Sequence, residues 1–266
     1  MKFTKMQGAG NDFVILDNRD GILRRSDLPN LAVRMCDRRF GVGADGLMVV
    51  EKSAAADYKM VFLNADGSFG EMCGNGARCI ARYGYDTGLA GGIQRIETPS
   101  GIVTGKRIDD NRYTVRLNSP SAIDEHRAAC GLDCFYTELG VPGLPHAVYY
   151  KNDWKDIPRE ELGTLGKKLR YSEAFPKGAN VSFVKQVSDT FFEAVTYERG
   201  VEDFTFACGT GSGSIALSAR LLGKTQSDEI QVKMPGGLLE IRLSCIDGVW
   251  ELLLTGPAET VFTGEY

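Results

Sequence analysis

The amino-acid sequence repeats itself, and this repeat constrains the fold more than any other feature. The motif Cys73-Gly74-Asn75-Gly76 has a counterpart in Cys208-Gly209-Thr210-Gly211, 135 residues further along the chain. The same offset aligns Gly8 with Gly143, Phe40 with Phe175, Gly43 with Gly178, Ala44 with Ala179, Ile80 with Ile215 and Ala81 with Ala216. Offsets of 136 and 137 align Pro99 with Pro235, Gly101 with Gly237 and Pro120 with Pro257, a drift that small loop insertions produce. The pattern predicts a tandem duplication into two similar domains.

A helix is predicted after each cysteine motif. Apolar and small residues follow both motifs at helical spacing: Ala77, Ile80, Ala81 and Gly84 in the first, and Ser212, Ile215, Ala216, Ala219 and Leu222 in the second. Gly88 and Gly223 are suitable C-terminal residues for these helices. Each cysteine is therefore expected at a helix N-terminus, where free N–H groups and the helix dipole favour a thiolate.

The remaining pattern predicts many strands and few helices in each half. A helix capped by Ser26 and running through Leu31 and Met35 is expected, and a second one over Arg159 to Leu169. Strands are predicted at Phe13–Leu16, Met60–Leu63, Tyr113–Leu117, Ala147–Tyr150, Val181–Val184, Phe191–Tyr197 and Leu239–Leu243. We expect an N-terminal domain over residues 1–120 and a C-terminal domain over 121–256, with a linker between Pro120 and Leu139. The run Glu259–Phe262 is expected to form a strand that returns to the first domain, with 257–266.

Composition excludes several classes of protein. The net charge is −4 and there is no basic run, so no nucleic-acid partner is expected. No apolar stretch has membrane-spanning length and the first residues lack a signal-peptide core, which predicts a cytoplasmic protein without a membrane partner. The seven cysteines match no zinc-ligand spacing, the Cys130/Cys134 pair included, so no metal is expected. Cys36, Cys79 and Cys245 are expected to be buried free thiols.

Two helix N-termini that face each other across a cleft could hold a carboxylate between them, with Gly74, Asn75, Gly209 and Thr210 as donors. A thiolate on one side and a thiol on the other could then remove and return a proton, which inverts a stereocentre without a cofactor. Several alternatives remain open at this point: two structural cysteines, a Cys73–Cys208 redox switch, and a non-catalytic binding protein. Gly41–Gly46 also matches the nucleotide motif G-x-G-x-x-G, but a single match is weak and its counterpart near Gly178 has lost it.

The sequence resembles the diaminopimelate epimerase family along its whole length. The resemblance is carried by these motifs: Gly8-Ala9-Gly10-Asn11-Asp12-Phe13, Phe62-Leu63-Asn64-Ala65-Asp66-Gly67, Cys73-Gly74-Asn75-Gly76-Ala77-Arg78, Gly178-Ala179-Asn180, Tyr197-Glu198-Arg199-Gly200 and Ala207-Cys208-Gly209-Thr210-Gly211. The resemblance implies an α+β fold of two pseudo-symmetric domains, each a β-barrel-like sheet wrapped around a central helix. It further implies an isomerase that needs no cofactor, converts L,L-diaminopimelate to meso-diaminopimelate, and forms a homodimer.

Site roles follow from the resemblance at matching positions. Cys73 would be the base acting on the L,L substrate and Cys208 the base acting on the meso form. The substrate would bind to Asn11, Asn64, Gly74, Asn75, Asn180, Glu198, Arg199, Gly209 and Thr210, while Glu198 and His146 would tune the thiol pKa values. Two positions depart from the family. Leu144 stands where the family often has asparagine, and Gly46 where it sometimes has glutamine, so a racemase of another amino acid, such as histidine, is the alternative function.

Overall fold

The computed structural model describes residues 1–70 and 73–266. Glu71 and Met72, which precede the first cysteine motif, lie outside the described residues. The chain forms two compact units, the first made of residues 1–115 and 256–266 and the second of residues 116–255. No helix in the described part of the chain is both long and apolar enough to cross a membrane.

The elements alternate along the chain as follows. The first eight strands are Lys2–Gly8 (β1), Asn11–Asp17 (β2), Gly46–Glu51 (β3), Tyr58–Asn64 (β4), Ile93–Thr98 (β5), Gly101–Arg107 (β6), Arg112–Leu117 (β7) and Pro120–Ala129 (β8). The others are Leu132–Leu139 (β9), Leu144–Tyr150 (β10), Asn180–Gln186 (β11), Phe191–Tyr197 (β12), Glu229–Met234 (β13), Gly237–Ile246 (β14), Val249–Pro257 (β15) and Glu259–Glu265 (β16). The helices are Leu28–Cys36 (α1), Gly74–Asp86 (α2), Arg159–Arg170 (α3) and Gly209–Leu221 (α4), with a 3-10 turn at Trp154–Asp156.

The strands of the first unit follow the order β16-β1-β2-β3-β4-β5-β6-β7. Neighbouring strands are antiparallel except for the pairs β2/β3 and β4/β5, which are parallel. In the second unit the order β8-β9-β10-β11-β12-β13-β14-β15 has its parallel pairs at β10/β11 and β12/β13. Both units therefore have the same sequence of antiparallel and parallel pairings, which confirms the repeat inferred from the sequence.

Helices α2 and α4 are the central elements of their units. Nearly all residues of α4 from Gly209 to Ala219 are buried, and most of α2 from Gly74 to Gly84 is buried too. Strands that are not neighbours in the sheet contact the same helix. The strands β1, β2, β5 and β6 contact α2, and the strands β9, β10, β11, β13 and β14 contact α4. Each sheet thus curves around one helix, and the expected α+β fold with a helix inside a barrel-like sheet is confirmed.

The strands β2 to β4 are apolar on both faces because helices cover both. Phe13 and Ile15 face the cluster around α2, whereas Val14 and Leu16 pack with α1 in a second cluster. Side chains alternate between the faces of a strand, so a strand covered on both sides reads as a continuous apolar run.

Most helix limits agree with the sequence predictions. Both central helices start directly after their cysteine, and Gly88 and Gly223 follow their ends with positive φ angles of 70° and 67°. The cap predicted for α1 is wrong. Asp27 rather than Ser26 is the N-cap, and Leu31 N donates to its carbonyl. A cap at Ser26 would make Pro29 the third helical residue, and proline has no N–H to donate to a capping side chain.

Two further expectations differ from the structure. The segment between Pro120 and Leu139, expected as a linker, forms the antiparallel pair β8/β9 with Cys130 in its turn. Cys36 and Cys79 are buried as predicted, but Cys245 is exposed. It lies near the outer end of the β14/β15 hairpin, opposite Trp250, where the sheet extends beyond the core.

Candidate active site

Cys73 is the N-cap residue of α2 and is half-buried. Its extended backbone, with φ −122°, directs the side chain toward the start of β2. The Cys73 thiol donates to Asn11 Oδ1 over 3.4 Å, and Asn75 Nδ2 donates to the same oxygen over 3.3 Å. Asn11 is itself held by Asp45, whose Oδ2 accepts from Asn11 Nδ2 at 2.6 Å. The first unit therefore brings three predicted site residues, Asn11, Cys73 and Asn75, into one hydrogen-bonded group.

Cys208 occupies the equivalent N-cap position of α4 and is more deeply buried, with 7% of its surface exposed. Gly211 N donates to its sulfur over 3.3 Å, and the Thr210 hydroxyl lies 3.6 Å from the same atom. Glu198 faces this sulfur, and its Oε1 accepts from the Thr205 hydroxyl at 2.8 Å. Cys208, Thr210 and Glu198 thus form the corresponding group in the second unit.

The protonation state of Cys208 differs from the simple helix-dipole prediction. Burial raises the pKa of Cys208 well above the ordinary thiol value, and the charge of Glu198 raises it further. The Thr210 hydroxyl and the Gly211 N–H lower it by less. Desolvation of a thiolate outweighs the stabilisation offered by one helix N-terminus, so Cys208 is a neutral thiol in the free protein.

Asn180 and Arg199 are joined in the second unit. Arg199 N donates to Asn180 Oδ1 at 2.8 Å, and Asn180 Nδ2 donates to the Pro145 carbonyl at 3.2 Å. The Arg199 guanidinium donates to the Lys177 carbonyl at 3.0 Å. This network fixes the end of β12 against the start of β11, where Asn180 lies.

His146 pairs with Asn180 in the register of β10 and β11. Its ring is fully buried, and neither ring nitrogen has a hydrogen-bond partner among the residues that the structure describes. Burial, assisted by the positive charge of Arg199, lowers the pKa of His146 to about 3. The imidazole is therefore neutral at physiological pH.

Asn64 is exposed and lies at the end of β4. Its amide donates to the Ser68 hydroxyl at 2.9 Å, and its backbone N–H donates to the Ser68 carbonyl at 2.9 Å. The side chain thus supports the turn that follows β4.

Sequence reasoning missed Asp45 and Thr205, which orient Asn11 and Glu198. Asp45 is the acidic residue of the segment Gly41–Gly46, which matches the nucleotide motif. Its carboxylate accepts the hydrogen bond from Asn11 Nδ2. The segment leads into strand β3 rather than into a helix, unlike a nucleotide-binding loop. In the sequence, the position of Asp45 beside Gly46 was the one indication of a site role, and no sequence feature indicated such a role for Thr205.

Gly46 has a packing explanation. A Cβ atom at this position would lie 2.6 Å from Phe62 Cε2 and 2.8 Å from the Leu63 carbonyl oxygen. The ring of Phe62 therefore occupies the space a side chain at position 46 would need, and glycine here does not by itself indicate a different substrate. Leu144, the other departure, is half-buried and opposite Leu139 in the β9/β10 pair.

Comparison with known proteins shows to which family the chain belongs. The family model described as diaminopimelate epimerase matches residues 3–123 and 141–261, one stretch in each half of the repeat. The chain belongs to the diaminopimelate epimerase family. A diaminopimelate epimerase from Carboxydothermus hydrogenoformans is 38% identical over 100% of this chain and 99% of its own length. One from Aquifex aeolicus is 36% identical over 99% of this chain and 97% of its own.

Solved structures share the fold at low sequence identity. A phenazine biosynthesis protein of the PhzF family from Bacillus anthracis matches 100% of this chain and 98% of its own, with a TM-score of 0.73 and 16% identity. A probable proline racemase from Agrobacterium radiobacter matches 100% of this chain and 92% of its own, with a TM-score of 0.73 and 14% identity. These likenesses show that the two-domain fold of the family is shared by other proteins.

Proposed function

We propose that this protein is a diaminopimelate epimerase that converts L,L-diaminopimelate to the meso form without a cofactor. The curated relatives that carry this name align with the chain from end to end at 34–38% identity. The observation that carries the mechanism is structural. Each compact unit places one cysteine at the N-cap of its buried helix, followed by Gly-x-Gly.

The reaction needs one base and one acid on opposite faces of the substrate α-carbon. A cysteine thiolate removes the proton from the substrate α-carbon, and the electron pair of the broken C–H bond stays on the carbanion. The other cysteine, as a thiol, gives its proton to the opposite face of that carbon. We assign Cys73 as the base for the L,L substrate and Cys208 as the base for the meso form. The neutral state of the Cys208 thiol supports its role as the acid in the first direction.

The first turns of α2 and α4 supply the binding groups for the reacting carboxylate. Helix geometry leaves first-turn N–H groups without an intrahelical acceptor, and the helix dipole favours an anion there. We assign this role to Gly74, Asn75, Gly209 and Thr210. The amines and the distal carboxylate are assigned to Asn11, Asn64, Asn180, Glu198 and Arg199, because a diamino diacid requires both acceptors and a guanidinium. Glu198 and His146 are assigned as modulators of the thiols.

The proposal includes three further expectations. We expect a homodimer, a cytoplasmic location, and domain boundaries close to 120/121 and 256/257. The compact units, which change at 115/116 and 255/256, support those boundaries.

Deuterium incorporation at the α-carbon in heavy water tests the proposal directly. The protein, without pyridoxal phosphate and with reductant present, is expected to exchange the α-hydrogen of L,L-diaminopimelate. Cys73→Ala and Cys208→Ala should each lower epimerisation by about 10³-fold or more, because each removes one acid/base group. The matched control is Cys245→Ala, which removes an exposed thiol of β14 and should retain activity.

Other outcomes would contradict parts of the proposal. Hydrogen exchange with histidine or another amino acid, but not with diaminopimelate, would show that the substrate assignment is wrong and that the two-cysteine chemistry is retained. Ligand-induced stabilisation without any exchange would identify a binding protein. Activity that requires an oxidised Cys73–Cys208 pair would favour the redox switch.

A further inference from the structure

Arg78 is a fully buried cation in the second turn of α2, and the proposed reaction does not yet use it. Its Nη2 donates to Asn75 Oδ1 at 2.9 Å, its Nη1 to the Gly74 carbonyl at 3.4 Å, and its Nε to the Pro257 carbonyl at 3.3 Å. Among residues 1–70 and 73–266 no carboxylate lies within ion-pair distance of this guanidinium. All three acceptors are neutral oxygens, so they solvate the charge without cancelling it.

A buried charge of this kind favours a nearby anion. Removing an ion from water is costly unless an opposite charge or several hydrogen bonds compensate it. The location makes the cost larger, because the N-terminus of a helix already carries partial positive charge. Two positive contributions therefore coincide at the first turns of α2, and both favour negative charge at its N-cap, Cys73.

The contacts of Arg78 lead to the Cys73 sulfur. Asn75, which accepts from Arg78, donates to Asn11 Oδ1, the oxygen that also accepts from Cys73. Burial lowers the pKa of Arg78 to about 10, and a thiolate at Cys73 acts in the opposite direction. The guanidinium remains charged at neutral pH and interacts favourably with a Cys73 thiolate.

The second unit has the opposite arrangement at the equivalent positions. The offset that aligns the cysteines places Gly213 where the first unit has Arg78. A Cβ atom on Gly213 would lie 2.7 Å from Leu117 Cδ1 and 3.0 Å from Leu252 Cδ2, so the packing leaves no room for an arginine side chain without displacement of these leucines. The charged group beside Cys208 is instead the Glu198 carboxylate. One cysteine is thus associated with a buried cation and the other with a carboxylate.

We propose that Arg78 is a positioning residue for the reaction of Cys73: its buried charge favours loss of the Cys73 thiol proton, so that Cys73 becomes the base while Cys208 remains the acid. This inference rests on the proposed function. It predicts that the free protein is prepared for proton abstraction by Cys73, the direction assigned above to the L,L substrate. When substrate is bound, the same charge favours its carboxylate at the N-terminus of α2.

Other titratable groups surround α2, and their effects on the ionisation of Cys73 must be distinguished from the effect of Arg78 in any pH experiment. The Cys79 thiol on the same helix is fully buried, and burial raises its pKa to about 12, so it does not ionise near neutrality. Other ionisable residues of α2 are Arg82, Tyr83, Tyr85 and Asp86. The strands that contact α2 carry Lys2, Lys5, Asp12, Asp17, Arg95, Glu97, Lys106 and Arg107, and the charge of Glu259 also acts on Cys79.

Arg82 provides a matched control. It lies one turn further along α2, and its Nη1 donates to the Ala258 carbonyl at 2.6 Å, as Arg78 donates to the Pro257 carbonyl. Both arginines therefore connect α2 to the same C-terminal segment. Arg82 differs in being paired with Asp86 at 3.1 Å. A purely structural role of Arg78 would be shared by Arg82, whereas the effect on Cys73 would not.

The test is the pH dependence of Cys73 alkylation by iodoacetamide, followed by peptide mass mapping so that each cysteine is measured separately. In the unmodified protein, Cys73 is expected to react with a lower pH midpoint than the exposed Cys245. Arg78→Met should raise the Cys73 midpoint by about one to two pH units and slow the reaction at pH 7 by about 10- to 100-fold. Arg82→Met should leave the midpoint in place, and Arg78→Lys should retain most of the effect.

The proposal fails if the Cys73 midpoint equals or exceeds that of Cys245 in the unmodified protein, a result that needs no variant to fold. It also fails if Arg78→Met and Arg82→Met give the same midpoint. The readout is the ionisation of a sulfur and not turnover. Active epimerisation with an unchanged midpoint would therefore refute the role of Arg78 alone, and a shifted midpoint without isotope exchange would refute the proposed function alone.

Discussion

Replacing His146 should change how the stability of this protein depends on acid pH. The ring is fully buried and the pKa of His146 is lowered from 6.5 to about 3 by desolvation and by the charge of Arg199. As pH falls below about 6.5, the unfolded chain takes up a proton that the folded protein does not bind until about pH 3. The folded state therefore loses stability through this window. For one such group, the free energy of unfolding should fall by about 2–3 kcal/mol between pH 7 and pH 4.5.

Glutamine at position 146 keeps a polar side chain but cannot titrate. His146→Gln should therefore lack this part of the pH dependence, whatever it does to stability at pH 7. The matched control is His126→Gln, at the other histidine of the chain. His126 is exposed and Asp133 raises its pKa, so its protonation favours the folded state and the sign is opposite.

Urea unfolding at pH 7 and pH 4.5 measures the difference for the three proteins. Carboxylates contribute to all three alike, so the comparison isolates the histidine. If the unmodified protein and His146→Gln lose the same free energy of unfolding between the two pH values, the reasoning about the buried ring is wrong.

Two further predictions concern the second unit. A Cβ atom at Gly211 would lie 3.1 Å from the Cys208 sulfur, whereas an ordinary contact is about 3.5–4.0 Å. Gly211→Ala should therefore displace the sulfur and lower the rate constant of epimerisation by about 10- to 100-fold. Its control, Gly213→Ala, presses on Leu117 and should mainly lower the melting temperature; equal activities of the two variants would contradict this. Glu198→Gln removes a negative charge beside Cys208 and should lower the pH midpoint of its alkylation by about one unit, and an unchanged midpoint would refute the assignment.

The sequence predicted the elements whose signals are local. Helical spacing after Cys73 and Cys208, with Gly88 and Gly223 as terminators, located both central helices. The repeat predicted that the two halves share one topology, because duplicated sequences retain their strand order. Asn11, Asn75 and Cys73 were expected at one site and are joined by hydrogen bonds.

Properties that depend on packing between distant residues could not be predicted. The Cys208 thiol is neutral because burial and Glu198 outweigh its helix N-terminus, and burial has no local sequence signal. Likewise, Gly46 is explained by the ring of Phe62 on the neighbouring strand. The Arg78 side chain belongs to a motif that was visible from the start, yet its complete burial appears only when the fold is known.

The pairing of β16 with β1 has a consequence for synthesis of the protein on the ribosome. Residues 116–255 form a continuous unit that can assemble as soon as they emerge, whereas the earlier unit is completed only by residues 256–266. The two arginines of α2 donate to carbonyls of this late segment, at Pro257 and Ala258. Helix α2, which follows the first cysteine, can therefore form its hydrogen bonds to Pro257 and Ala258 only after the entire second unit has been translated.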